Sequence, residues 1–262
     1  MIFQYWHSAS PPGDVVAALA SFDRCSPELP REIFDAAKAE TFIARHYSAR
    51  EVAAFRACAV PAMQADYFRY CAVHALGGIY VDADFECVGD MSSLLEAQPG
   101  GVLFGRRPGR ITAVFGWPFP VGAFGAVSND LFAFPKPGHP LLGMAVRVAT
   151  ANVEGRVADG PEGIWVTTGP GIFTSMYLLR GLGSADAFLD YSKGTVLEAS
   201  APLFCEVVGD ATDVAELLEG VAIRPRREHG AWVRPVKLRR PDSGPDVYWP
   251  ELTGSIFRRS ST

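Results

Sequence analysis

The chain has 262 residues and a net charge of -5 at pH 7; 48% of its residues are apolar and 20% are charged. This is enough apolar material for one large core, and we expect a single domain with an extended C-terminal part. The negative charge argues against a general nucleic-acid or anionic-surface binder. No stretch reaches the roughly 18 apolar residues that a membrane span requires.

Five cysteines are spread along the chain without a Cys-x-x-Cys pair. Their odd number, wide spacing and mostly apolar surroundings are typical of reduced thiols in a protein core. The N-terminal residues also lack the basic and apolar segments of an export signal. We therefore expect a cytoplasmic protein, with the inner face of the membrane as an alternative location.

The first half alternates short apolar runs with helical patterns. Residues 2–6 are typical of a strand, Asp14 is placed to cap a helix that reaches about residue 22, and residues 48–51 open another helix with a near capping box. Residues 79–81, 102–104, 112–115 and 125–127 are further predicted strands, and a helix is predicted from residue 140 to about 152. This alternation predicts an α/β fold with a mainly parallel sheet.

Residues 60–76 predict a helix that carries an acid and a base on one face. Pro61 stands near its start and Gly77-Gly78 at its end, as is usual for helices. Asp66 and Arg69 are three residues apart and so share a face. The simplest interpretation is an intrahelical ion pair worth a few tenths of a kcal/mol. The functional alternative is a clasp for a polyhydroxylated or phosphorylated ligand.

Two carboxylates, Asp82 and Asp84, follow the apolar strand 79–81. Because strand side chains alternate, residues two apart are expected to point to the same face. Mg²⁺ and Mn²⁺ prefer carboxylate oxygens and complete their shells with water and substrate phosphates. An Asp-x-Asp pair is expected about once by chance in such a chain, so its context decides its meaning. Ligands of α/β sheets sit at the carboxyl ends of strands, where this pair lies.

The second half offers two weaker signals for anion binding. The turn at residues 168–171, Thr-Gly-Pro-Gly, precedes a predicted helix and is either a phosphate-binding loop or a plain turn. Between residues 224 and 240 lie seven basic residues and one acid, Glu228. This segment is either a solvated basic face or a lip that attracts a diphosphate or an anionic acceptor near a membrane.

The segment from Ala65 to Tyr70, together with residues 77–84, resembles the core of the DXD-containing sugar-transferase family, which includes yeast mannosyltransferases. It is also similar to the glucosylating domains of large clostridial toxins. Looser similarities occur at residues 128–130, 137–140, 168–171 and 229–232. The chain departs from the family at Gln4, where relatives commonly have histidine, and matches it only partly around His229.

The resemblance implies a GT-A fold, with residues 1 to about 135 as the nucleotide-sugar-binding half and about 136 to 262 as the acceptor half. It implies a retaining transfer of a hexose from a UDP- or GDP-sugar, dependent on Mn²⁺ or Mg²⁺, to a saccharide, glycolipid or protein acceptor. The implied roles fall on few residues. Asp84 binds the metal, and Asp82 contacts the ribose and the metal shell. Asp66 and Arg69 hold the donor sugar, with Arg69 also near the diphosphate. Tyr80 lines the donor pocket, Trp6 stacks on the base, and His229 is a third candidate ligand.

Three alternatives accompany these roles. Trp6 alone is more often a core residue than a base platform. A phosphatase of the haloacid-dehalogenase type also places Asp-x-Asp at a strand end, and Asp210 with Asp213 could serve as its later acidic cluster. A binding module without catalysis is the third. On the acceptor side Asn129 and His139 are candidates, each with an ordinary structural interpretation as a turn former and a residue before a helix.

Overall fold

The structure is a computed structural model that describes residues 1–106, 125–236 and 255–258. A six-stranded sheet runs through the described chain in the order β2-β1-β3-β6-β5-β7. Five of its strands are parallel and β6 runs against them. The strands of this sheet are β1 Ile2–Tyr5, β2 Arg31–Phe34, β3 Gly78–Val81, β5 Val102–Arg106, β6 Ala126–Phe134 and β7 Ala222–Pro225. A separate antiparallel pair joins β4 Phe85–Cys87 to β8 Val233–Pro235.

Helices connect and cover these strands. Before β6, the described residues form α1 Gly13–Cys25, α2 Ala36–His46, α3 Ala49–Ala57, α4 Pro61–Leu76 and α5 Ser92–Glu96. Those after β6 are α6 Pro140–Gly155, α7 Pro161–Thr167, α8 Gly171–Leu182, α9 Ala185–Ser192, α10 Ala201–Val208 and α11 Ala211–Leu217. A 3₁₀-helix, Arg226–Ala231, lies between β7 and β8. The α/β fold with a mainly parallel sheet is thus confirmed.

Alternate residues of the central strands enter two different cores. Tyr80 and Phe132 face the larger core, which helices α2, α3, α4, α6 and α8 share. Ile79 and Leu131 face the smaller core, where α1, β4, α5 and Trp232 cover the other side of the sheet. This is the pattern expected when both faces of a sheet are buried.

Helix α4 is as the sequence predicts, and its end is determined by two glycines. Gly77 caps it with φ 67°, and Gly78 follows with φ 116°, both in the region that disfavours side chains. A Cβ on Gly78 would lie 2.5 Å from the carbonyl oxygen of Met1, because β1 and β3 start side by side. The turn therefore needs glycine both for its backbone angles and for this close approach.

Most predicted strands are confirmed, with two qualifications. Residues 79–81 and 102–104 lie in β3 and β5, whereas the predicted strand 125–127 is only the beginning of the nine-residue β6. The predicted strand at 112–115 lies outside the described residues. The C-terminal part returns to the sheet through β7 and pairs with β4 through β8, so residues 222–235 are not a separate extension.

All five cysteines are free thiols, and Cys58, Cys71 and Cys87 are buried. Within the described parts of the chain, no helix has the length and apolar character needed to cross a bilayer.

Candidate active site

The candidate site lies where β3 and β6 meet at the carboxyl end of β3. The backbone N–H of Asp82 donates to the carbonyl oxygen of Asp130 over 2.9 Å, so β6 continues to support the chain just beyond the strand. Strand β3 ends at Val81, and the N–H of Phe85 donates back to the carbonyl of Asp82, which makes residues 82–85 a turn. Asp82 and Asp84 therefore lie in a turn beyond the strand, so strand alternation does not determine the directions of their side chains. The charge of Asp82 nevertheless acts on Asp84.

Arg69 is the cation at the centre of the site, and it is almost fully buried. Its Nη2 lies 3.0 Å from Asp66 Oδ1 and 2.9 Å from Asp82 Oδ1, so one nitrogen joins two carboxylates. Its Nη1 donates to the carbonyl of Asn129 over 2.6 Å and its Nε to that of Ala65 over 3.2 Å. Asp66 and Arg69 thus form the intrahelical ion pair that the sequence suggests, but the pair is buried and also includes Asp82, so the small energy of an exposed pair does not apply to it. With these donors engaged, the guanidinium mainly fixes the two carboxylates.

Tyr80 completes the support of Asp82. Its hydroxyl donates to Asp82 Oδ1 over 2.9 Å, and the guanidinium carbon of Arg69 lies 4.5 Å from the centre of its ring. The ring thus gives Arg69 a cation–π contact in addition to its ion pairs. Asp82 remains 28% exposed, which leaves part of the carboxylate open to a ligand.

Asn129 supports Asp66 from the opposite strand. Its Nδ2 donates to Asp66 Oδ1 over 2.9 Å and to the Tyr70 hydroxyl over 3.0 Å, and that hydroxyl donates to the carbonyl of Gly169. Asn129 is buried in β6 and is not a turn residue. Asn129, a candidate for the acceptor side, thus lies in the interior of the protein behind Asp66.

A second charged group, which the sequence reasoning missed, surrounds Asp130. Its carboxylate accepts a hydrogen bond from Arg226 and lies 3.5 Å from Arg106 Nη2. Burial opposes ionisation of Asp130, yet the positive charge of Arg226 and the other cations holds its pKa well below the usual range. Burial lowers the pKa of His229 to about 4, so this imidazole is neutral at pH 7 and the arginines compensate Asp130. The only sequence signal was the basic run that begins at residue 224.

Trp6 lies at the same edge of the sheet, directly after β1. It is partly buried and packs on a small cluster formed by Val15, Leu19 and Ala83. Ala83 stands between the two carboxylates, so the indole reaches the turn that carries them. Gln4, two residues earlier, is fully buried, and neither of its side-chain polar atoms has a partner among the described residues.

The surroundings of the three carboxylates of the site raise their pKa values. Burial raises the pKa of Asp66 to about 6, although Arg69 opposes the shift, and burial likewise raises the pKa of Asp82. Asp84 is exposed at its outer surface, but desolvation by neighbouring protein atoms and the charges of Asp82 and Asp130 raise its pKa to about 7. A local excess of negative charge that raises carboxyl pKa values is what a bound cation would relieve.

The side chains of the site could provide only some of the ligands that a divalent cation requires. Carboxylate oxygens of Asp82 and Asp84 suit Mg²⁺ or Mn²⁺, which commonly use one or two protein carboxylates and take the remaining ligands from water and phosphate. No three His, Cys, Asp or Glu side chains of the described residues form a group that could hold a metal. His229 therefore does not complete a three-residue ligand set with Asp82 and Asp84. Its ring lies 4.2 Å from that of Phe104, centre to centre.

Other residues singled out in the sequence have structural roles. His139 caps α6 beyond the end of β6, and the pairing of Gly78 with Phe134 puts it at the opposite edge of the sheet from Asp82. In the turn at 168–171, a Cβ on Gly171 would lie 2.5 Å from the carbonyl of Trp165, so close helix packing explains this glycine. A phosphate loop is not needed to account for it.

Asp210 and Asp213 form the capping box of α11. The Asp210 carboxylate accepts from the N–H of Ala211, and Asp213 accepts from the N–H of Asp210. These carboxylates thus stabilise a helix start, which gives a structural role to the acidic cluster that the phosphatase alternative could use.

Comparison with known proteins finds a family resemblance in the first part of the chain. Residues 2–99 match the family described as "Glycosyltransferase sugar-binding region containing DXD motif", and this range contains Asp66, Arg69, Asp82 and Asp84. The match is confined to this first part of the chain, which is similar to the DXD sugar-binding region of glycosyltransferases. The sheet has the mainly parallel α/β architecture that this resemblance implies. No curated protein matches the chain.

Among solved structures, the chain is similar to one titled "PaToxG Glycosyltransferase". The sequence identity is 13%, the alignment covers 89% of this chain and 87% of that chain, and the TM-score is 0.48. A likeness this distant says nothing about which residues act.

Proposed function

We propose that the protein transfers a hexose from a UDP- or GDP-sugar to a hydroxyl acceptor and depends on Mn²⁺ or Mg²⁺. The observation that carries this proposal is the network in which Arg69 joins Asp66 to Asp82 beside Asp84, inside the segment that matches the family. The network leaves part of Asp82 accessible to a ligand, and Asp84 is exposed.

The roles proposed for these residues follow from their contacts. Asp84 and the open part of Asp82 would hold the cation, which neutralises the charge that grows on the leaving diphosphate. Asp66 would accept hydrogen bonds from hydroxyl groups of the donor sugar. Arg69 and Tyr80 would keep Asp82 in place and ionised, because both donate to its Oδ1. Such preorganisation is worth more than flexible contacts, since no reorganisation is required during the reaction.

For Trp6 we propose a contact with the nucleobase. Its position after β1, its partial exposure and its packing against Ala83 support this proposal. The substitution Trp6→Leu should raise KM for the donor more than it lowers kcat, because stacking on the base is equally strong before and during transfer. An unchanged KM for the donor would contradict the contact with the base and would indicate that Trp6 is a core residue.

Retention of anomeric configuration is part of the proposal. The acceptor hydroxyl would attack on the face from which the diphosphate departs, and the leaving phosphate oxygen would take its proton. No side chain of the network is placed as a separate nucleophile, since Arg69 and Asn129 occupy Asp66. Product analysis by NMR tests this, because an inverted linkage would contradict it.

The acceptor that we propose is a saccharide or glycolipid precursor, with a protein as the alternative. A cytoplasmic enzyme, either free or at the inner membrane face, is consistent with this choice. Glycan products detected after incubation with donor and lipid-linked or soluble acceptors separate these classes.

The experiment is nucleotide release from a panel of UDP- and GDP-sugars with Mn²⁺, Mg²⁺ or chelator. We expect release from one donor that depends on the cation and increases with acceptor. Hydrolysis of an aryl phosphate would instead support the phosphatase. Saturable donor binding without turnover would support the binding module.

A further inference from the structure

Two cysteines meet where the end of helix α1 packs against strand β4. Cys25 is the last residue of α1, and Cys87 is the last residue of β4. The helix and the strand are in contact, and both cysteines pack on the smaller core at this side of the sheet. The two residues are 62 positions apart in the chain, so it is the fold that brings them together.

Hydrogen bonds hold Cys87 against the last turn of α1. The Cys25 thiol donates to the carbonyl oxygen of Cys87 over 3.3 Å. The backbone N–H of Cys87 donates to the hydroxyl of Ser21 over 2.7 Å, and its sulfur lies 3.9 Å from the Ser26 hydroxyl oxygen. Residues on both sides of Cys25 thus fix the position of Cys87. This closeness suits a disulfide, in which the two Cα atoms lie about 4–7 Å apart.

The surroundings of the two thiols differ in a way that suits consecutive reactions. Burial raises the pKa of the Cys87 thiol to about 11, and the neighbouring Cys25 thiol adds to the rise. Cys87 is 3% exposed, whereas Cys25 is partly exposed. A reagent in solution therefore reaches Cys25 first, and Cys87 is placed to react with a group already attached to Cys25. Redox-sensitive cysteines are commonly accessible thiols that lie beside a second, resolving thiol.

We propose that low-molecular-weight disulfides, such as oxidised glutathione, reversibly oxidise Cys25 and Cys87 to an intramolecular disulfide. The Cys25 thiolate attacks one sulfur of the reagent, which forms a mixed disulfide and releases one thiol. The Cys87 thiolate then attacks Cys25 Sγ, forms the Cys25–Cys87 bond and releases the second thiol. Two protein thiols are thus oxidised and the reagent is reduced to two thiols, which take up the protons that leave the cysteines.

The bond would fasten β4 to α1 beside the candidate active site. Strand β4 begins at Phe85, directly after Asp84, and the N–H of Val236 donates to the carbonyl of Asp84 over 2.7 Å. To form the bond, the Cys87 thiol would give up its hydrogen bond to the carbonyl of Gly89, which is 3.2 Å long. The oxidation itself requires no nucleotide, metal or sugar, so it stands or falls independently of the proposed function.

The test incubates the protein with oxidised glutathione at about pH 8.5, where an ordinary thiol is half ionised, and then alkylates the remaining thiols. We expect the unchanged protein to lose two of its five free thiols and about 2 Da in mass, with Cys25 and Cys87 joined in peptide maps. A dithiol reductant should restore both thiols. The control Cys205→Ser removes the other partly exposed cysteine, which lies in α10, and should form the same bond.

Two variants separate the roles of the paired cysteines. Cys87→Ser should keep glutathione bound at Cys25, because the resolving thiol is absent. Cys25→Ser should leave Cys87 as a free thiol, and its replacement at a partly exposed helix end should not impair folding.

Three results would overturn the proposal. They are five free thiols in the unchanged protein after incubation, a mixed disulfide at Cys25 that persists although Cys87 is present, and a bond that joins either cysteine to a different one.

Discussion

Arg69 connects the two carboxylates of the site through a single nitrogen, and this arrangement determines what its replacement should do. Both Asp66 and Arg69 are buried, so their charges are not screened by water as those of a surface pair would be. Removal of the Arg69 guanidinium would leave the carboxylates of Asp66 and Asp82 without their shared positive partner, in a region with little access to water. The role of Arg69 is therefore structural and electrostatic together.

The substitution Arg69→Met should lower the free energy of unfolding by about 3–5 kcal/mol, the range for breaking a buried ion pair. Arg50→Met is the matched control, because Arg50 makes a similar two-point contact with Glu154 but both side chains are about half exposed. Its loss should cost about 1 kcal/mol or less. Urea unfolding of both variants at neutral pH measures the two losses in free energy of unfolding. Equal losses would contradict the role of Arg69 in joining Asp66 to Asp82.

At the scale of single residues, sequence alone identified the acids and Arg69 but not their supports. Asn129 and Asp130 occurred in a loosely similar segment, and nothing local showed that one would bond Asp66 and the other the arginine of a distant 3₁₀-helix. These contacts depend on sheet pairing between β3 and β6, which are about fifty residues apart in sequence. Such side-chain partners depend on the register in which β3 and β6 pair, and that register cannot be deduced from the sequence of either strand.

At the scale of elements, the predictions succeeded where the signal was local. Helix α4 begins at Pro61 and is capped by Gly77, as expected. The fixed φ of proline and the positive φ of glycine are properties of single residues, so they can be predicted locally. The length of β6 was underestimated, since its nine residues are all buried and lack the alternation that marks a half-exposed strand. The turn after β3 was also missed, as the Asp-Ala-Asp run has no glycine or proline to signal it.

The substitution Gly78→Ala tests the turn that leads into β3. We expect a loss of about 2 kcal/mol or more, from a positive φ and a Cβ 2.5 Å from the Met1 carbonyl. The control Gly138→Ala also has a positive φ, 74°, but a Cβ there would meet nothing within 4 Å, so it should cost only about 1–2 kcal/mol. Thermal or urea unfolding compares them. If Gly138→Ala proved the more costly, the crowding at the start of β3 would be refuted.

At the scale of the whole molecule, the sheet brings an acidic turn, a buried arginine and a basic C-terminal segment to one place. Strand β8 lies against β4, immediately after the carboxylates, although more than a hundred residues separate them in the chain. The net charge of -5 thus conceals a strongly uneven distribution near the site. In the folded protein the carboxylates near Asp84 repel each other, and a bound cation would reduce this repulsion.

This repulsion predicts how stability depends on pH without metal. Because the pKa of Asp84 is raised to about 7, its ionised form disfavours folding, and the cost grows as pH rises from about 4 to 7. Asp84→Asn should therefore have a higher Tm than the unchanged protein at pH 8, with the difference vanishing near pH 4. Calorimetric scans in chelator measure it, and a variant less stable at pH 8 would refute the sign.

Mn²⁺ should reduce this difference in Tm at pH 8. A cation at about a hundred times its Kd adds about 2.7 kcal/mol to the unchanged protein, which corresponds to a Tm rise of roughly 5–10 °C for a chain of this size. Asp84→Asn should gain much less, because one of its two carboxylate ligands is replaced by an amide.

The most direct test of the account is the initial rate of nucleotide release from the best UDP- or GDP-sugar, measured against Mn²⁺ concentration for the unchanged protein and for Asp84→Asn. The account predicts saturable dependence on Mn²⁺ in the unchanged protein and a loss of about a hundredfold or more in kcat/KM for the variant, since an interaction with the leaving diphosphate is removed. Turnover in Asp84→Asn that keeps both its rate and its Mn²⁺ dependence would contradict it.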